Sequence, residues 1–351
     1  MTVGIESLIR SHTMNKKYQV TFSVIGLEHN HIYQMTKRMI AAGAKLKSVF
    51  SNNTAEINQF LMLYPKCYQC DINEILSDKE VGLVLSAARP DQRAAIGIDC
   101  MLNEKDFLCA KPGILTLEDL KRVKQVQFKT KRFYSICYSE RFWSGATLKA
   151  GELVAQGEIG AVVATTGLGP HCIDIAKRPD WFFQKKYSGG IINDLACHQI
   201  DQFIFFTGAE NVSIIHSQVA NKSHYHHSNF EDLGELILSA NGVLGTIRVD
   251  WLSPKALGVW GDSRLMIQGT KGYIELRKTI DLNGKPGGEH LFLVNHNGVQ
   301  YYDCDVDQNE FFDAFFNDVL NRLETSMTQK HCFYVTQLAI TSQMIANQNK
   351  S

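Results

Sequence analysis

An aspartate and a histidine four residues apart are the pair in this sequence best suited to chemistry. Asp194 and His198 lie in the stretch G-G-I-I-N-D-L-A-C-H, which begins at Gly189. Residues four apart share one face of a helix, so we expect the carboxylate and the imidazole side by side. A neighbouring carboxylate favours the imidazolium, which predicts a raised pKa of His198 and proton transfer near neutral pH. The same spacing also fits a helix N-terminal acid with a hydrogen-bonded histidine, or a metal site with no evident third ligand.

Lys111 is the next candidate, because it follows the apolar stretch F-L-C-A and precedes Pro112. Ligands bind at the carboxyl ends of the strands in parallel α/β sheets, so a lysine there is well placed to contact one. An ordinary exposed lysine is the alternative. Three further side chains are candidates for the wall of a substrate pocket: Arg141 for a hydroxyl or carboxylate, Trp181 for the face of a sugar, and His171. Each of the three fits a structural role equally well.

The turn after the first predicted strand is the expected position of a dinucleotide pyrophosphate, because backbone N–H groups and the helix dipole point there. The usual pattern is G-x-G-x-x-G, whereas this turn reads G-L-E-H-N-H. Only the first glycine is present, and the glutamate brings a carboxylate towards the phosphates, which the two histidines could offset as donors. By itself the turn fits nucleotide binding and a plain strand-to-helix connection equally well. Its candidate cofactor contacts are Gly26, Leu27, Glu28, His29 and His31.

The second predicted strand ends at Ser51 and Asn52, where the ribose of adenosine is expected. The acidic residue that would bind a ribose 2′-hydroxyl is missing, and no arginine for a 2′-phosphate follows immediately. Ser51 and Asn52 can bond either group. The sequence therefore leaves NAD and NADP open as cofactors.

The elements that position these residues alternate between strand and helix over the first part of the chain. Short apolar runs end at Gly26, Phe50, Ala88 and Ala110, and helical patterns separate them. Such alternation predicts an α/β fold with a doubly wound parallel sheet over residues 18–135, after a tail at 1–17. From 136 to 351 the pattern changes to a few helices and many strands joined by turns such as Asn241-Gly242, typical of antiparallel hairpins. We therefore predict a second, α+β domain, with the C-terminal helices packing back on the first.

Composition narrows the class of partner. Lys plus Arg and Asp plus Glu both number 36, and hydrophobic residues make up 44% of the 351-residue chain. Charge balance gives no reason to expect nucleic acid or an anionic membrane, and no run reaches the ~18 apolar residues of a membrane span. The start of the sequence lacks the apolar stretch of a signal peptide. These features predict a cytoplasmic protein with a small-molecule partner.

Cysteine and histidine clusters do not predict a metal site. The nine cysteines are scattered and mostly in apolar runs, as expected for reduced thiols, and the pair Cys67 and Cys70 has no second pair at zinc-finger spacing. The histidines between His224 and His227 fit a solvated connection better than zinc. We predict no bound metal.

Several motifs together resemble one family, the glucose–fructose oxidoreductase, inositol dehydrogenase and rhizopine-catabolism group (Gfo/Idh/MocA). They are V-I-G at Gly26, A-K-P at Lys111, Y-S-E-R-F at 138–142, G-E-I-G at 157–160, G-G-I-I-N-D-L-A-C-H-Q-I-D, and G-V-L-G-T-I-R-V-D-W ending at Trp251. The likeness covers nearly the whole chain with the motifs in the right order. It implies a Rossmann domain followed by an open, mainly antiparallel sheet whose face often forms a homodimer or homotetramer interface.

The resemblance also implies residue roles. Lys111 matches the lysine of the family's E-K-P motif, which touches nicotinamide ribose and substrate, and Asp194 and His198 match its catalytic D-x-x-x-H. The implied reaction is NAD(P)-linked redox chemistry at a hydroxyl of a sugar, cyclitol or related compound. His198 would accept the hydroxyl proton, Lys111 would polarise the developing oxyanion, and Asp194 would orient the pair.

Three departures from the family pattern weaken the cofactor site more than the fold. The glycine-rich turn is degraded, Ala110 replaces the glutamate of E-K-P, and Ala88-Arg89-Pro90 stands where the family often has Thr-Pro-Asn. Ala88, Arg89 and Pro90 are nevertheless candidate cofactor contacts. The alternative functions are a non-catalytic regulatory protein that binds nucleotide or sugar, and glycoside cleavage through transient oxidation by a recycled cofactor.

Overall fold

A computed structural model describes residues 20–306 and 308–349 of the chain. The predicted tail at 1–17 lies outside the described residues. Strand and helix alternate through the first part as predicted: β1 (Thr21–Ile25), α1 (His31–Ala41), β2 (Lys45–Phe50), α2 (Thr54–Leu63), β3 (Tyr68–Gln69), α3 (Ile72–Ser77), β4 (Leu83–Ser86), α4 (Pro90–Leu102), β5 (Asp106–Ala110), α5 (Leu117–Thr130) and β6 (Tyr134–Cys137).

These strands form a parallel sheet in the order β3-β2-β1-β4-β5-β6. The central strands β4 and β5 are buried along their whole length, because helices cover both faces of the sheet. The order reverses beside β1, the point at which doubly wound sheets bind ligands. The predicted parallel, doubly wound sheet is confirmed.

The second part is an open sheet covered on one face by helices. Its elements are α6 (Ser139–Phe142), α7 (Gly145–Ala155), β7 (Val162–Pro170), α8 (Lys185–Ser188), a π-helical turn (Ile192–Ala196), α9 (Cys197–Thr207), β8 (Ser213–Ala220), β9 (Leu233–Ala240), β10 (Val243–Asp250), β11 (Arg264–Gly269), β12 (Gly272–Arg277), β13 (His290–Asn295), β14 (Gly298–Asp303), α10 (Glu310–Asn321) and α11 (Gln329–Gln348). Short 3₁₀ turns occupy Ile175–Lys177, Asp180–Phe183 and Lys255–Leu257.

The order of this sheet is β14-β13-β12-β11-β7-β10-β9-β8. Among the described strands β7 and β10 pair in parallel and the other neighbours are antiparallel, so the predicted mainly antiparallel sheet is confirmed. Alternate residues on these strands are buried against the helices, and the intervening residues lie on the open face.

Helix α11 links the two sheets. It packs against α5 and β6 of the first part and against α9 and β8 of the second. The Tyr134 N–H donates to Gln329 Oε1 over 2.9 Å, and Tyr138 Oη lies 3.3 Å from Thr336 Oγ1. The domain boundary at residue 135 remains a prediction. Strand β6 crosses that position and ends at Cys137.

Candidate active site

The π-helical turn brings Asp194 to the first sheet. Gly189 and Gly190 before it have φ of +90° and +83°, which favour glycine. A Cβ on Gly190 would lie 2.5 Å from the Gln343 side chain, whose Oε1 accepts a hydrogen bond from the Ile192 N–H. The glycine therefore allows the turn to pack tightly on α11. Single π turns inside helices are frequent at functional sites.

Lys111 and Asp194 form a buried ion pair where β5 ends. Lys111 Nζ donates to Asp194 Oδ1 and to the Asp194 carbonyl oxygen, each over 2.8 Å, and the lysine is only 5% exposed. Burial raises the pKa of Asp194, but the Lys111 ammonium outweighs it and holds that pKa below its usual value. The pair is charged, and each partner compensates the other for its lost hydration.

Arg93 holds the strand ends that carry this pair, and the sequence interpretation missed it. Its buried guanidinium donates to four carbonyl oxygens, those of Ala88, Ala110, Lys111 and Pro112, over 2.6–3.0 Å. The ends of β4 and β5 are thereby joined through one side chain. An arginine four residues into a helix carries no sequence signal for such a contact.

His198 lies on α9 and faces the same cavity as Lys111 and Asp194. The predicted raised pKa of His198 is wrong. Asp194 bonds to Lys111 and makes no hydrogen bond to His198, and burial lowers the His198 pKa to about 3 despite the nearby Glu140 carboxylate. The imidazole is therefore neutral at physiological pH, and among the described residues its buried Nδ1 has no hydrogen-bond partner.

Glu140 is a second residue that the sequence interpretation missed, although it lies inside the quoted Y-S-E-R-F motif. Its Oε2 accepts hydrogen bonds from Gln199 Nε2 and Ser263 Oγ, both at 2.9 Å, and lies 3.4 Å from Lys278 Nζ. Burial raises the pKa of Glu140, but Lys278 and neighbouring groups lower it to about 2. Its Oε1 is buried, and no side chain or backbone group in the described part of the chain donates to it. The signal that could have identified Glu140 was a charged residue within an otherwise buried segment.

A cavity of about 690 Å³ lies between the two parts of the chain. Lys111, Asp194, His198 and Glu140 all line it. Its walls combine aromatic rings with hydrogen-bonding and charged side chains, a lining typical of sites for small polar ligands. The aromatic residues are Trp143, Phe182, Trp251 and Trp260, and the histidines are His29, His31, His171 and His198. The charged residues are Lys37, Arg38, Lys111, Glu140, Arg178, Asp194, Lys278 and Glu289.

Of the three residues predicted to form the pocket wall, only His171 lines the cavity. Its ring packs on Trp251 and Trp260, and burial lowers its pKa to about 4. Arg141 does not line it, since its guanidinium bonds Asp201 through two contacts of 2.7 and 2.8 Å. Trp181 is also outside the lining.

The Trp181 prediction is wrong by one residue. Asp180–Phe183 forms a 3₁₀ turn, in which each residue is rotated by about 120° from the next. Phe182 therefore enters the cavity wall in place of Trp181.

The nucleotide turn is closely packed. Gly26 has φ of +85°, and a Cβ there would lie 2.4 Å from Ala88 Cβ, so only glycine fits. His29 Nδ1 accepts the His31 N–H at 3.2 Å, and burial lowers the pKa of both histidines well below normal. Leu27 is buried, so of the candidate contacts at the turn His29 and His31 reach the cavity.

Glu28 carries a carboxylate into this packed turn. Burial raises its pKa above the usual value, and its buried Oε2 has no donor within residues 20–306 and 308–349. Glu56, in the first turn of α2, accepts a hydrogen bond from Ser51 Oγ at 3.1 Å. An acidic side chain that the sequence interpretation overlooked thus lies beside the end of β2, five residues after Ser51. Asn52 is exposed.

The end of β4 is turned towards the second part of the chain. Arg89 bonds Asp91 at 2.6 and 2.9 Å, and its guanidinium lies 4.2 Å from the centre of the Tyr187 ring. Ala88 is buried against Gly26, and Pro90 begins α4. These three candidate contacts therefore border the turn without lining the cavity.

The remaining clusters have ordinary partners. His224 Nδ1 lies 2.8 Å from Asp232 Oδ2, and the His227 ring stacks on Phe183. Over 20–306 and 308–349, no group of three histidine, cysteine or acidic side chains is arranged to hold a metal ion. Within the same ranges no helix has the length and apolar character to cross a membrane.

The fold and the cavity define a class of protein in which a Rossmann-type sheet is joined to an open sheet. Charged side chains meet in the cavity between the two sheets. Residues 147–275 match the model of the GFO/IDH/MocA C-terminal domain. A candidate oxidoreductase from Erwinia carotovora atroseptica SCRI1043 has a solved structure that is 40% identical, with 94% of this chain and 99% of that chain covered and a TM-score of 0.91. The chain therefore belongs to the Gfo/Idh/MocA family of oxidoreductases, and the predicted class of protein is confirmed.

Curated relatives are more distant. A scyllo-inositol 2-dehydrogenase (NAD(+)) from Bacillus subtilis is 24% identical over 304 residues, which cover 85% of this chain and 84% of that protein. A D-xylose dehydrogenase from Paenarthrobacter nicotinovorans is 24% identical over 136 residues, or 37% of this chain. The chain spans only about a third (35%) of the length of that xylose dehydrogenase.

Proposed function

We propose that this protein is an NAD(P)-dependent oxidoreductase that moves hydride between nicotinamide and a hydroxyl or carbonyl carbon of a sugar, cyclitol or related small molecule. One observation carries the proposal. The charged pair of Lys111 and Asp194 lies beside the neutral His198 in a cavity at the carboxyl ends of the parallel strands. This arrangement supplies a fixed cation for an oxyanion and an imidazole able to accept a proton.

The residues beside β1 fit a bound dinucleotide in two respects. The positive φ of Gly26 lets the turn approach Ala88, so that little side-chain bulk covers the start of the crevice. Among the described residues Glu28 Oε2 has no donor, and a nucleotide hydroxyl would supply one. Glu56, beside Ser51 at the end of β2, favours NAD, because its carboxylate would repel the 2′-phosphate of NADP.

In the proposed reaction Lys111 and His198 have separate roles. Lys111 donates a hydrogen bond to the substrate oxygen and stabilises negative charge as it develops there. His198 accepts the hydroxyl proton, and Asp194 keeps the Lys111 ammonium in place. A nicotinamide bound here would supply the acceptor for the hydride, with its two electrons, that leaves the carbon.

Nucleotide titration followed by a substrate screen tests the proposal. We expect NAD⁺ to quench the fluorescence of the tryptophans in the cavity wall, more strongly than NADP⁺ at equal concentration. A panel of polyols, aldoses and inositols should then yield reduced nicotinamide, seen by its absorbance. If neither nucleotide binds, the dehydrogenase proposal is wrong; if both bind equally, only the preference for NAD is wrong.

A non-catalytic binding protein is the second candidate function, and the His29 contact favours it. The His31 N–H, at the start of α1, already donates to His29 Nδ1 instead of facing solvent. A sugar that binds without any nucleotide would support this second function. Product analysis on glycosides would separate the third alternative, cleavage through transient oxidation, from simple oxidation.

We also propose that the protein self-associates through the open face of its larger, eight-stranded sheet. Leu244 on β10, Met266 on β11 and the β14 residues Val299 and Tyr301 are exposed there. Exposed apolar side chains in one face are typical of protein interfaces. Sedimentation should give a dimer or tetramer, with Leu244→Glu shifting it towards the monomer; a monomeric wild-type protein would contradict this proposal.

A further inference from the structure

The cations of the cavity differ in whether the protein itself neutralises them. Lys111 is paired with Asp194, and Lys278 bonds Gln202 Oε1 at 2.9 Å beside Glu140. Lys37 and Arg38 also have partners. Arg178 is the exception among these cations.

Arg178 contacts aromatic rings and leaves its hydrogen-bonding edge unused. Its guanidinium carbon lies 4.5 Å from the centre of the Phe182 ring and 5.3 Å from the centre of the Trp251 ring. Within residues 20–306 and 308–349 the guanidinium makes no hydrogen bond or ion pair. Cation–π contacts occupy the faces of a guanidinium and leave its N–H groups available to an acceptor.

The surroundings of Arg178 point to an anionic ligand. The cavity lining contains five Lys and Arg side chains and three carboxylates, and its four histidines have lowered pKa values, so it carries excess positive charge. The nearest acid on its own segment, Asp174, is engaged by Lys177 and Lys255. A largely desolvated cation without an acid partner is costly unless a ligand supplies the opposite charge.

Arg178 lies on the substrate side of the cavity. It follows the 3₁₀ turn after β7, and its ring partner Trp251 follows β10, so both belong to the second part of the chain. Arg178, Lys111 and Asp194 line the same cavity, and the charge of Asp194 acts on the guanidinium. A ligand at Arg178 would therefore be the substrate, or a part of it, and not the adenosine end of a nucleotide.

We propose that Arg178 binds a carboxylate of the substrate, which makes the substrate class a polyhydroxy acid of the uronate or aldonate type. The planar edge of one guanidinium matches the two oxygens of a carboxylate. The Trp251 and Phe182 rings offer apolar faces to the carbon skeleton, while the hydroxyl to be oxidised lies at Lys111 and His198. The inference rests on the proposed function for its reaction but not for its binding step.

Matched substrate pairs test it: D-glucuronate against D-glucose, D-galacturonate against D-galactose, and D-gluconate against sorbitol, each with NAD⁺. The wild-type protein should prefer the acid in at least one pair by tenfold or more in kcat/KM. Arg178→Met should lower kcat/KM for that acid about 10- to 100-fold, the value of hydrogen bonds to a charged group, and change the neutral partner less than threefold. Arg178→Lys should retain part of the preference.

Lys186→Met is the matched control, because it removes an exposed cation that lies outside the cavity lining and does not engage Asp174. It should leave both substrates unchanged. Preference for the neutral partner in every pair, or equal loss on acid and neutral substrates in Arg178→Met, would overturn the proposal. Preference for D-glucose 6-phosphate over all the acids would also overturn it, in favour of a phosphate.

A binding measurement separates this inference from the proposed reaction. Trp251 lies beside Arg178, so tryptophan fluorescence should report titration with the same acids whether or not turnover occurs. If no compound is oxidised but an acid binds and Arg178→Met abolishes binding, the dehydrogenase proposal fails and the carboxylate site stands. If neutral sugars are oxidised and no acid binds, the dehydrogenase proposal stands and the carboxylate site fails. If nothing is oxidised and no acid binds, both fail.

Discussion

The two ends of the site handle buried polar groups in different ways. At the proposed catalytic end, Lys111 and Asp194 compensate each other at 2.8 Å and His198 stays neutral. At the nucleotide turn, His29 accepts the N–H that begins α1, and Glu28 keeps a buried oxygen without a donor among the described residues. Under the proposed function the catalytic groups would need little rearrangement to act, whereas the turn would have to exchange an internal contact before binding phosphate. The cost of ligand binding is therefore concentrated at the nucleotide end.

Removing the cation of the catalytic end should have the largest effect. Lys111→Met should lower turnover by about 10³-fold, because the substrate oxyanion loses its donor and Asp194 is left as a buried, unpaired carboxylate. Reduced nicotinamide absorbance at saturating cofactor measures it. Lys121→Met, on the exposed face of α5, is the control with no expected change.

A double variant distinguishes chemistry from folding in that experiment. Lys111→Met combined with Asp194→Asn removes the buried charge, so its thermal stability should recover towards that of the wild-type protein while turnover stays low. Full activity in either variant would contradict the assigned role of Lys111.

The second prediction concerns the neutral imidazole. His198→Gln should lower kcat about 10²-fold, since the hydroxyl proton loses its acceptor. Because burial depresses the His198 pKa to about 3, the imidazole stays neutral as the pH falls from 8 to about 5. The wild-type kcat/KM should therefore lack an acid limb near pH 6.5 from this residue. A limb at pH 6.5 that disappears in His198→Gln would contradict the lowered pKa.

A pair of glycine substitutions tests how strictly the nucleotide turn is specified. Gly26 and Gly157 both have φ near +80°, but a Cβ meets Ala88 at 2.4 Å in the first and nothing within 4 Å in the second. Gly157→Ala should cost about 1 kcal/mol of unfolding free energy from backbone strain alone, and Gly26→Ala about 3 kcal/mol with the added clash. Urea unfolding measures both. Equal costs would show that the turn relaxes away from Ala88.

The smallest effect is expected at the contact that competes with the nucleotide. His29→Ala frees the His31 N–H for a phosphate oxygen and should tighten NAD⁺ binding by about fivefold, the value of roughly one hydrogen bond. Fluorescence titration gives the two dissociation constants, with His296→Ala, an exposed hairpin histidine, as control. Weaker NAD⁺ binding in His29→Ala would mean that His29 itself contacts the cofactor.

Local patterns determined the architecture and the approximate site. Apolar runs of strand length alternating with helical periodicity predicted the parallel sheet, because burial on both faces leaves a local signature. The four-residue spacing placed Asp194 and His198 in one wall, since helix geometry is also local. The family resemblance, carried by motifs in the right order, predicted that Lys111 lies at the same site, at the carboxyl edge of the parallel sheet.

Only the tertiary structure decided which groups are partners and which are charged. Asp194 bonds Lys111, 83 residues earlier, and Arg141 bonds Asp201, 60 residues later, so neither takes the partner or place expected from spacing. The low pKa of His198 arises from burial by distant segments, which no local pattern encodes. Arg178 gained its significance in the same way, because a guanidinium without a hydrogen-bond or ion-pair partner in the described part of the chain is recognised only once its neighbouring side chains have been placed.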